Sequence, residues 1–249
     1  MKISVVTVSF NSAKAIADNI VSVVQQKFDD YEHLIIDGAS ADNTLSVVRG
    51  LANSKQRIVS EPDEGIYDAM NKGVALATGE IVCFLNSDDR FSDSDVLVDV
   101  VAAFSKSKCD FMWGCISLCD NKWSERRFWR TPHINIRNPM FFEQLPHPAV
   151  FIKKRSLLRL SSPFDCRYTL AADLDQQIKL IYKLKLTGVF IDRCIVQMRL
   201  GGASTNGIRS LMRGFDESSK IYNRNFGFGG SIFAFQKIIK KISQRRFIG

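Results

Sequence analysis

The sequence predicts an α/β fold: a mostly parallel, doubly wound central sheet flanked by helices, with a helical extension at the C-terminal end. Three observations lead there. Short runs rich in Val, Ile and Thr alternate with segments of helical periodicity through residues 1–105. One run, Ile81-Val82-Cys83-Phe84-Leu85, is continuously apolar, as a strand buried on both faces must be. Acids directly follow two of the runs, at Asp37 and at Asp88-Asp89. The carboxyl ends of parallel strands are where open α/β sheets bind ligands.

Taken in order, Lys2–Phe10 reads as the first strand. Asn11-Ser12 offers an N-cap to a helix over residues 13–27, whose apolar stripe is Ala13, Ile16, Ile20, Val23 and Val24. His33–Asp37 is a second strand, Gly38-Ala39-Ser40 a turn, and residues 41–51 a second helix. Arg57–Glu61 is a third strand, and Tyr67–Ala77 a third helix ended by Gly79. After the apolar run, residues 93–105 form the next helix, with Val96, Leu97, Val100 and Val101 on one face.

The second half is less regular. Asp110–Leu118 reads as a strand, whereas residues 121–148 hold four prolines, many basic residues and no period, the pattern of a functional or disordered loop. Ala149–Ile152 is a strand, Lys153–Leu160 a short helix, and Ala172–Leu186 a longer helix carrying Leu174, Ile178, Ile181 and Leu184. Val189–Ile191 and Ile195–Met198 read as two short strands, and Gly201-Gly202-Ala203-Ser204 as a turn. A helix over Ser210–Arg224, a glycine-rich break at Gly227–Gly230 and a final basic amphipathic helix follow. The expected division is residues 1–205 as one catalytic unit, with halves 1–105 and 106–205, and residues 206–249 as the helical extension.

Composition narrows the chemistry. The 249 residues are 45% hydrophobic, enough for a sizeable core. Their net charge of +8 points to an anionic partner such as a nucleotide or a membrane surface. The excess is local: residues 121–160 carry nine Lys or Arg against two Glu, and residues 232–249 five and no acid. Six cysteines without a CxxC pair fit reduced thiols in the cytosol rather than a zinc site or a disulfide framework. The run Ile3–Phe10 is too short for a signal peptide, and no run approaches the roughly 18 apolar residues of a membrane span. There is no GxGxxG after the first strand and no GxxxxGK[ST], against a dinucleotide-binding oxidoreductase and a P-loop NTPase. The basic regions lack regularly interleaved aromatics, against nucleic-acid binding.

Asp88 and Asp89 form the candidate metal site. Adjacent carboxylates repel unless a cation lies between them, and oxygen ligands suit Mg²⁺ or Mn²⁺, which bridge substrate phosphates. The competing reading is an Asp-rich turn capping the next helix at Ser92–Asp95.

Several stretches together are similar to one family: Ser4–Asn11, Ile35–Thr44, Glu61–Gly73, Ala77–Glu80 and Asn86–Asp89. In their order and spacing the chain resembles the family 2 inverting glycosyltransferases of GT-A fold, Rossmann-like enzymes of bacterial surface-polysaccharide biosynthesis. The similarity is dense over residues 3–90 and thinner to about residue 205.

The resemblance implies a role for each position. Thr7, Ser9, Asn11, Asp37 and Ser40 would hold the nucleotide. Asp68 and Lys72 would face the donor sugar or diphosphate. Ser87 and Asp88 would bind the nucleotide sugar, and Asp88 and Asp89 match the metal-binding motif, with Asp89 the direct ligand; here the motif is Asn-Ser-Asp-Asp rather than a strict Asp-x-Asp. Asp173, where Ala172-Asp173 stands in place of the family's frequent Glu-Asp, would be the catalytic base, and Asp175 structural. A helix start favours an ionised carboxylate, which suits a base, and the same position also suits simple capping. His147 would line the acceptor side. Arg199 and the glycine turn after it would fold over the diphosphate.

The implied reaction moves a hexosyl unit from a nucleotide sugar, UDP being the family's commonest nucleotide, to a glycan or polyprenyl-linked oligosaccharide. O-antigen, capsule or exopolysaccharide assembly is the implied setting. Mn²⁺ or Mg²⁺ is the implied cofactor. Along the tail, Ile232, Phe235, Ile239 and Ile242 share one helical face, with Lys237, Lys240, Lys241 and Arg245 opposite. Such a helix lies in a membrane interface, consistent with peripheral attachment to the cytoplasmic face of the inner membrane. Packing on the domain is the other arrangement. Two other functions use the same features. A sugar nucleotidyltransferase would attack the α-phosphorus and release pyrophosphate. A noncatalytic membrane- or polysaccharide-binding protein is disfavoured by the set Asp37, Asp88, Asp89 and Asp173.

Overall fold

The computed structural model describes residues 1–51, 53–201 and 207–243. Its centre is four parallel strands in the order β3-β2-β1-β4: β1 (Ile3–Ser9), β2 (Tyr31–Asp37), β3 (Gln56–Ser60) and β4 (Ile81–Phe84). All of β1 and β4 is buried, as the apolar runs required. The sheet continues through β8 (Val150–Lys153), β6 (Phe111–Cys119), β9 (Gly188–Arg199) and the two-residue β5 (Arg90–Phe91). β8 runs antiparallel to both β4 and β6, and β9 runs parallel to β6. β7 (Glu125–Trp129) pairs antiparallel with the outer half of β6.

Helices cover both faces. Val6, Val8, Val82 and Phe84 point to the side of α3 (Ile66–Leu76), α6 (Ala172–Ile178), α7 (Gly207–Phe226) and α8 (Gly230–Ser243). Alternate residues Ile3, Val5, Ile81 and Cys83 point to the other side, where α4 (Val96–Lys106) packs through Val96, Leu97, Val100 and Phe104. α1 (Ile16–Val24) and α2 (Thr44–Gly50) close that layer over Ile35. The short α5 (Lys154–Leu157) follows β8. α3 lies unusually close to β1: a Cβ at Gly73 would stand 2.4 Å from Val6 Cγ1, so only glycine allows the approach.

Several expectations change in the structure. β7 falls inside the stretch read as a loop. The two short strands expected near residues 189–198 are one strand, β9, whose register to β6 slips around Cys115. The helix expected to reach Leu186 is α-helical only to Ile178; it continues as a wider π turn over Lys179–Lys183, and Lys185 then takes a left-handed conformation at φ 52°. Asn11 and Ser12 do not cap α1 through their side chains. Asn11 turns left-handed at φ 49°, and the Ser12 carbonyl receives the Ala15 and Ile16 amides.

In the last helix, α8, the basic face turns partly towards the cleft. Phe233 and Ala234 pack on the body, Ile232, Phe235 and Ile239 are exposed, and Lys237 and Lys240 point into the main cleft. The side chains of Lys241 and Ile242, all of Arg245, and the turn residues Gly202, Ala203 and Ser204 lie outside the described residues.

Candidate active site

A cleft of about 1150 Å³ opens over the carboxyl ends of β1, β2 and β4. β8 explains its second wall. Because that strand runs antiparallel, its starting end reaches the same rim and brings the turn at His147 there.

At the strand end of the cleft, Ser9 and Asn11 line the wall, as does Phe10, 65% exposed at the lip. Asp37 does not. Its carboxylate is fully covered and accepts four hydrogen bonds: from Ser9 Oγ (3.0 Å), Ser40 Oγ (2.5 Å), Ser40 N (2.9 Å) and Ser60 Oγ (2.8 Å). Burial opposes its charge, but the donors from Ser40, Ser60 and Ser9 outweigh it and hold the carboxyl below its ordinary range. Asp37 and Ser40 thus tie the loops together, and Ser40 Oγ also receives the Asn11 amide at 2.8 Å. Thr7, also expected at the nucleotide, stands away from the cleft wall. It is wholly buried, bonded to Asn19 Oδ1 (3.1 Å) and His33 Nε2 (2.9 Å), because its place in the strand turns it towards α1. The cleft surface here comes instead from Gly38, Asp42 and Asp63, and a Cβ at Gly38 would collide with the Asp63 carboxylate at 2.5 Å.

Asp68 and Lys72 also stand away from the cleft wall. They pair with each other at 3.3 Å on α3, and Lys72 reaches Glu61 at 3.1 Å and the Pro62 carbonyl at 2.8 Å. An i,i+4 pair on a helix rim satisfies itself.

The turn after β4 is held tightly. Asn19 Nδ2 donates to the carbonyls of Asn86 (2.8 Å) and Asp89 (3.2 Å), and Ser87 Oγ bonds Ser12 Oγ at 2.9 Å. Ser87 and Asp88 line the cleft, whereas Asp89 sits behind them, 1% exposed, accepting from the Arg199 amide at 3.3 Å. Asp89, expected as the direct metal ligand, is thus the buried member of the pair, and Asp88 the one at the cleft surface. Burial raises both carboxyls above the ordinary range, and for Asp89 the neighbouring Asp88 charge adds to it. A divalent cation relieves that situation. Asn86 Oδ1, buried and without a hydrogen-bond partner, adds a third oxygen to the same turn. No cluster of three or more His, Cys, Asp or Glu able to hold a metal occurs among the described residues. The donor set fits Mg²⁺ or Mn²⁺, which complete their coordination with substrate phosphate and water.

The Arg199 guanidinium does not enter the cleft. It bonds Asp18 at 2.7 Å and lies 4.5 Å from the centre of the Trp123 ring, whose other neighbour is Arg90 at 4.0 Å. Its backbone amide bonds Asp89, and its charge opposes the rise of both carboxyls.

On the second wall, Asp173 in the first turn of α6 faces the cleft. Gln144 Nε2 donates to one carboxylate oxygen at 2.6 Å, and the Tyr67 hydroxyl approaches the other at 3.4 Å. Burial, reinforced by the Asp173 charge, pushes the Tyr67 phenol well above its ordinary value, so it stays a donor. Asp175 is buried on Lys179 and Asn225. His147 also lines the cleft, 7% exposed, stacked on Phe84 at 5.3 Å, with neither ring nitrogen hydrogen-bonded. Burial lowers its pKa, so the ring is neutral at pH 7. Tyr67 and Gln144 were not anticipated, although Tyr67 lies in one of the similar stretches and Gln144 three residues before His147. Arg127, on the missed β7, lines the cleft as well.

Comparison with known proteins places this architecture. Residues 4–161 match the family described as Glycosyl transferase family 2. An uncharacterised glycosyltransferase of Mycobacterium tuberculosis is 40% identical over 114 residues, 45% of this chain and 44% of that protein. The match thus spans under half the length of that curated relative. Among solved structures, S. aureus TarS (residues 1–349) superposes with a TM-score of 0.71 at 19% identity, over 98% of this chain and 72% of that one. The same protein has been solved with UDP-GlcNAc. The Pyrobaculum calidifontis mannosyltransferase PcManGT, solved with GDP-Man and Mn²⁺, gives a TM-score of 0.65 at 16% identity, over 97% and 75% of the two chains. The fold is of GT-A type. The chain belongs to glycosyl transferase family 2.

Proposed function

We propose that the protein is a metal-dependent inverting glycosyltransferase that moves a sugar from a nucleotide-sugar donor to a glycan or lipid-linked acceptor in envelope polysaccharide or glycolipid assembly. The observation that carries this reading is one cleft faced by two separate acidic sites, Asp88 after β4 and Asp173 on α6. The nucleotide lies over Ser9, Asn11 and Gly38, with Phe10 available to its base. UDP and GDP are the nucleotides to test first, because TarS was solved with UDP-GlcNAc and PcManGT with GDP-Man.

Asp88 and Asp89, with Asn86 Oδ1, would hold Mn²⁺ or Mg²⁺, which supplies positive charge to the leaving diphosphate. The remaining work falls to the chain's own groups. Gln144 and Tyr67 fix the plane of the Asp173 carboxylate. Asp173 accepts the proton of the acceptor hydroxyl as its oxygen bonds to the anomeric carbon. The carbon–oxygen bond to the diphosphate breaks in the same displacement, inverting that carbon. His147, neutral and without a partner, offers the acceptor a hydrogen bond.

No helix among the described residues is long and apolar enough to cross a membrane. The exposed Ile232, Phe235 and Ile239 instead give α8 a face suited to lying in an interface.

A screen of UDP-, GDP- and dTDP-sugars for donor hydrolysis, with Mn²⁺ and with EDTA, tests the reading. Turnover of one donor class that stops with EDTA and returns with Mn²⁺ is the expected result. No turnover of any nucleotide sugar, or full turnover in chelator, contradicts it.

A further inference from the structure

The end of the cleft formed by α8 is built differently from the strand end. Asp42, Asp63 and Asp88 line the strand end, alongside Lys14. Lys237 and Lys240 line the α8 end. α8 buries Phe233 and Ala234, leaves Ile232, Phe235 and Ile239 59%, 58% and 50% exposed, and lines the cleft with its two lysines. Two ammonium groups at one end of a cleft attract an anionic group of a ligand.

The lysines also sit beside the transfer chemistry. Lys240 Nζ bonds Glu143 Oε1 at 2.6 Å, and the next residue, Gln144, holds Asp173. Lys237 Nζ donates to Ser218 Oγ at 3.2 Å. Three residues apart on one helix, the two side chains are neighbours with Cβ atoms about 5–6 Å apart, a spacing that suits two linked phosphates. Lys binds phosphate as a compact point charge.

We propose that this end of the cleft binds an anionic acceptor: a phosphate or diphosphate group on the acceptor sits on Lys237 and Lys240, with Glu143 displaced from Lys240, and so delivers the acceptor hydroxyl to Asp173. The inference rests on reading the cleft as a glycosyl-transfer site. It adds the chemical class of the acceptor.

The test is binding by the full chain, with UDP or GDP and Mn²⁺ filling the strand end. The probes are farnesyl diphosphate and inorganic pyrophosphate. The wild type is expected to bind farnesyl diphosphate, and the double variant Lys237→Ala/Lys240→Ala to bind it about tenfold more weakly or worse, as loss of two charge-assisted contacts requires. Lys220→Ala, an exposed lysine paired with Asp216 away from the cleft, is the surface-lysine control and should not change it. Glu143→Gln separates ligand binding from a merely structural role for the lysines. It removes the internal competitor and should tighten binding, whereas a structural Lys240–Glu143 anchor predicts weakening.

Binding of both probes supports recognition of the diphosphate itself, and binding of farnesyl diphosphate alone supports a lipid-carried acceptor. A wild type that binds UDP or GDP but neither probe overturns this inference alone. A wild type that binds no nucleotide overturns the donor reading and this inference with it. Equal affinities in wild type and double variant, or weaker binding in Glu143→Gln, also overturn it.

Discussion

The two ends of the cleft show different ways of making a site. The strand end is local: loops following β1, β2 and β4 meet because their strands are neighbours, and their polar groups largely satisfy one another. Asp37 with its four donors is the extreme case. The α8 end is assembled from distant segments: residues 142–148, the start of α6, and a helix more than fifty residues further on. It keeps a carboxylate facing the cleft and a histidine without hydrogen bonds. Polar groups satisfied internally build the scaffold; groups left facing the cleft are the ones with chemistry to do.

Substitutions can break that contrast. The largest effect is expected at Asp88. Asp88→Asn should cut transfer about a thousandfold while the protein stays folded by circular dichroism, because a bound cation contributes several kcal/mol of charge stabilisation. Comparable transfer in Asp88→Asn and wild type would remove the acid pair from the mechanism. Asp37→Ala should act in the opposite sense, on stability. It strands the Ser9, Ser40 and Ser60 hydroxyls in the interior and should cost about 3 kcal/mol in urea unfolding. A variant as stable as wild type, with nucleotide binding lost, would return Asp37 to the ligand.

Gln144→Ala removes a donor to Asp173 without touching the strand end. About a 10- to 100-fold fall in kcat at unchanged donor KM is expected, the worth of one hydrogen bond to a charged group. A rise in donor KM at constant kcat would place Gln144 on the donor instead.

The smallest effect concerns His33, buried behind Thr7, whose pKa falls from 6.5 to about 3 because burial disfavours its charge. Between those values the unfolded chain binds a proton that the folded chain does not. Stability should therefore fall as pH drops below 6.5, by up to about 1.4 kcal/mol per unit from this residue. His33→Gln, followed by thermal melting from pH 7 to pH 5, should flatten that slope. An unchanged slope would mean that other groups set it.

How much was legible in the sequence follows the same division. β1 to β4 were readable because strands buried on both faces must be continuously apolar, and Asp88 was readable because it stands directly after one. β7 was not: Glu125-Arg126-Arg127-Phe128-Trp129 pairs on one side only, so charged residues are tolerated and no apolar run marks it. β9 looked like two strands because Asp192-Arg193-Cys194 interrupts its apolar pattern near the register slip. Residue type could not show that Thr7 and Asp37 point inward, since a buried hydroxyl and a ligand-binding one look alike in sequence. Gln144 met Asp173 through a contact 29 residues apart that no periodicity announces. The tail's amphipathicity was visible, but which of its faces would turn inward was set by the cleft beside it.

The central claim, that one acid of the cleft serves the donor and another the acceptor, is tested most directly by calorimetric titration of UDP or GDP with Mn²⁺ into wild type, Asp88→Asn and Asp173→Asn. Asp88→Asn is expected to lose the Mn²⁺-dependent part of the affinity, while Asp173→Asn binds the nucleotide as wild type does. Loss of nucleotide binding in Asp173→Asn, with Asp88→Asn unaffected, would contradict the assignment.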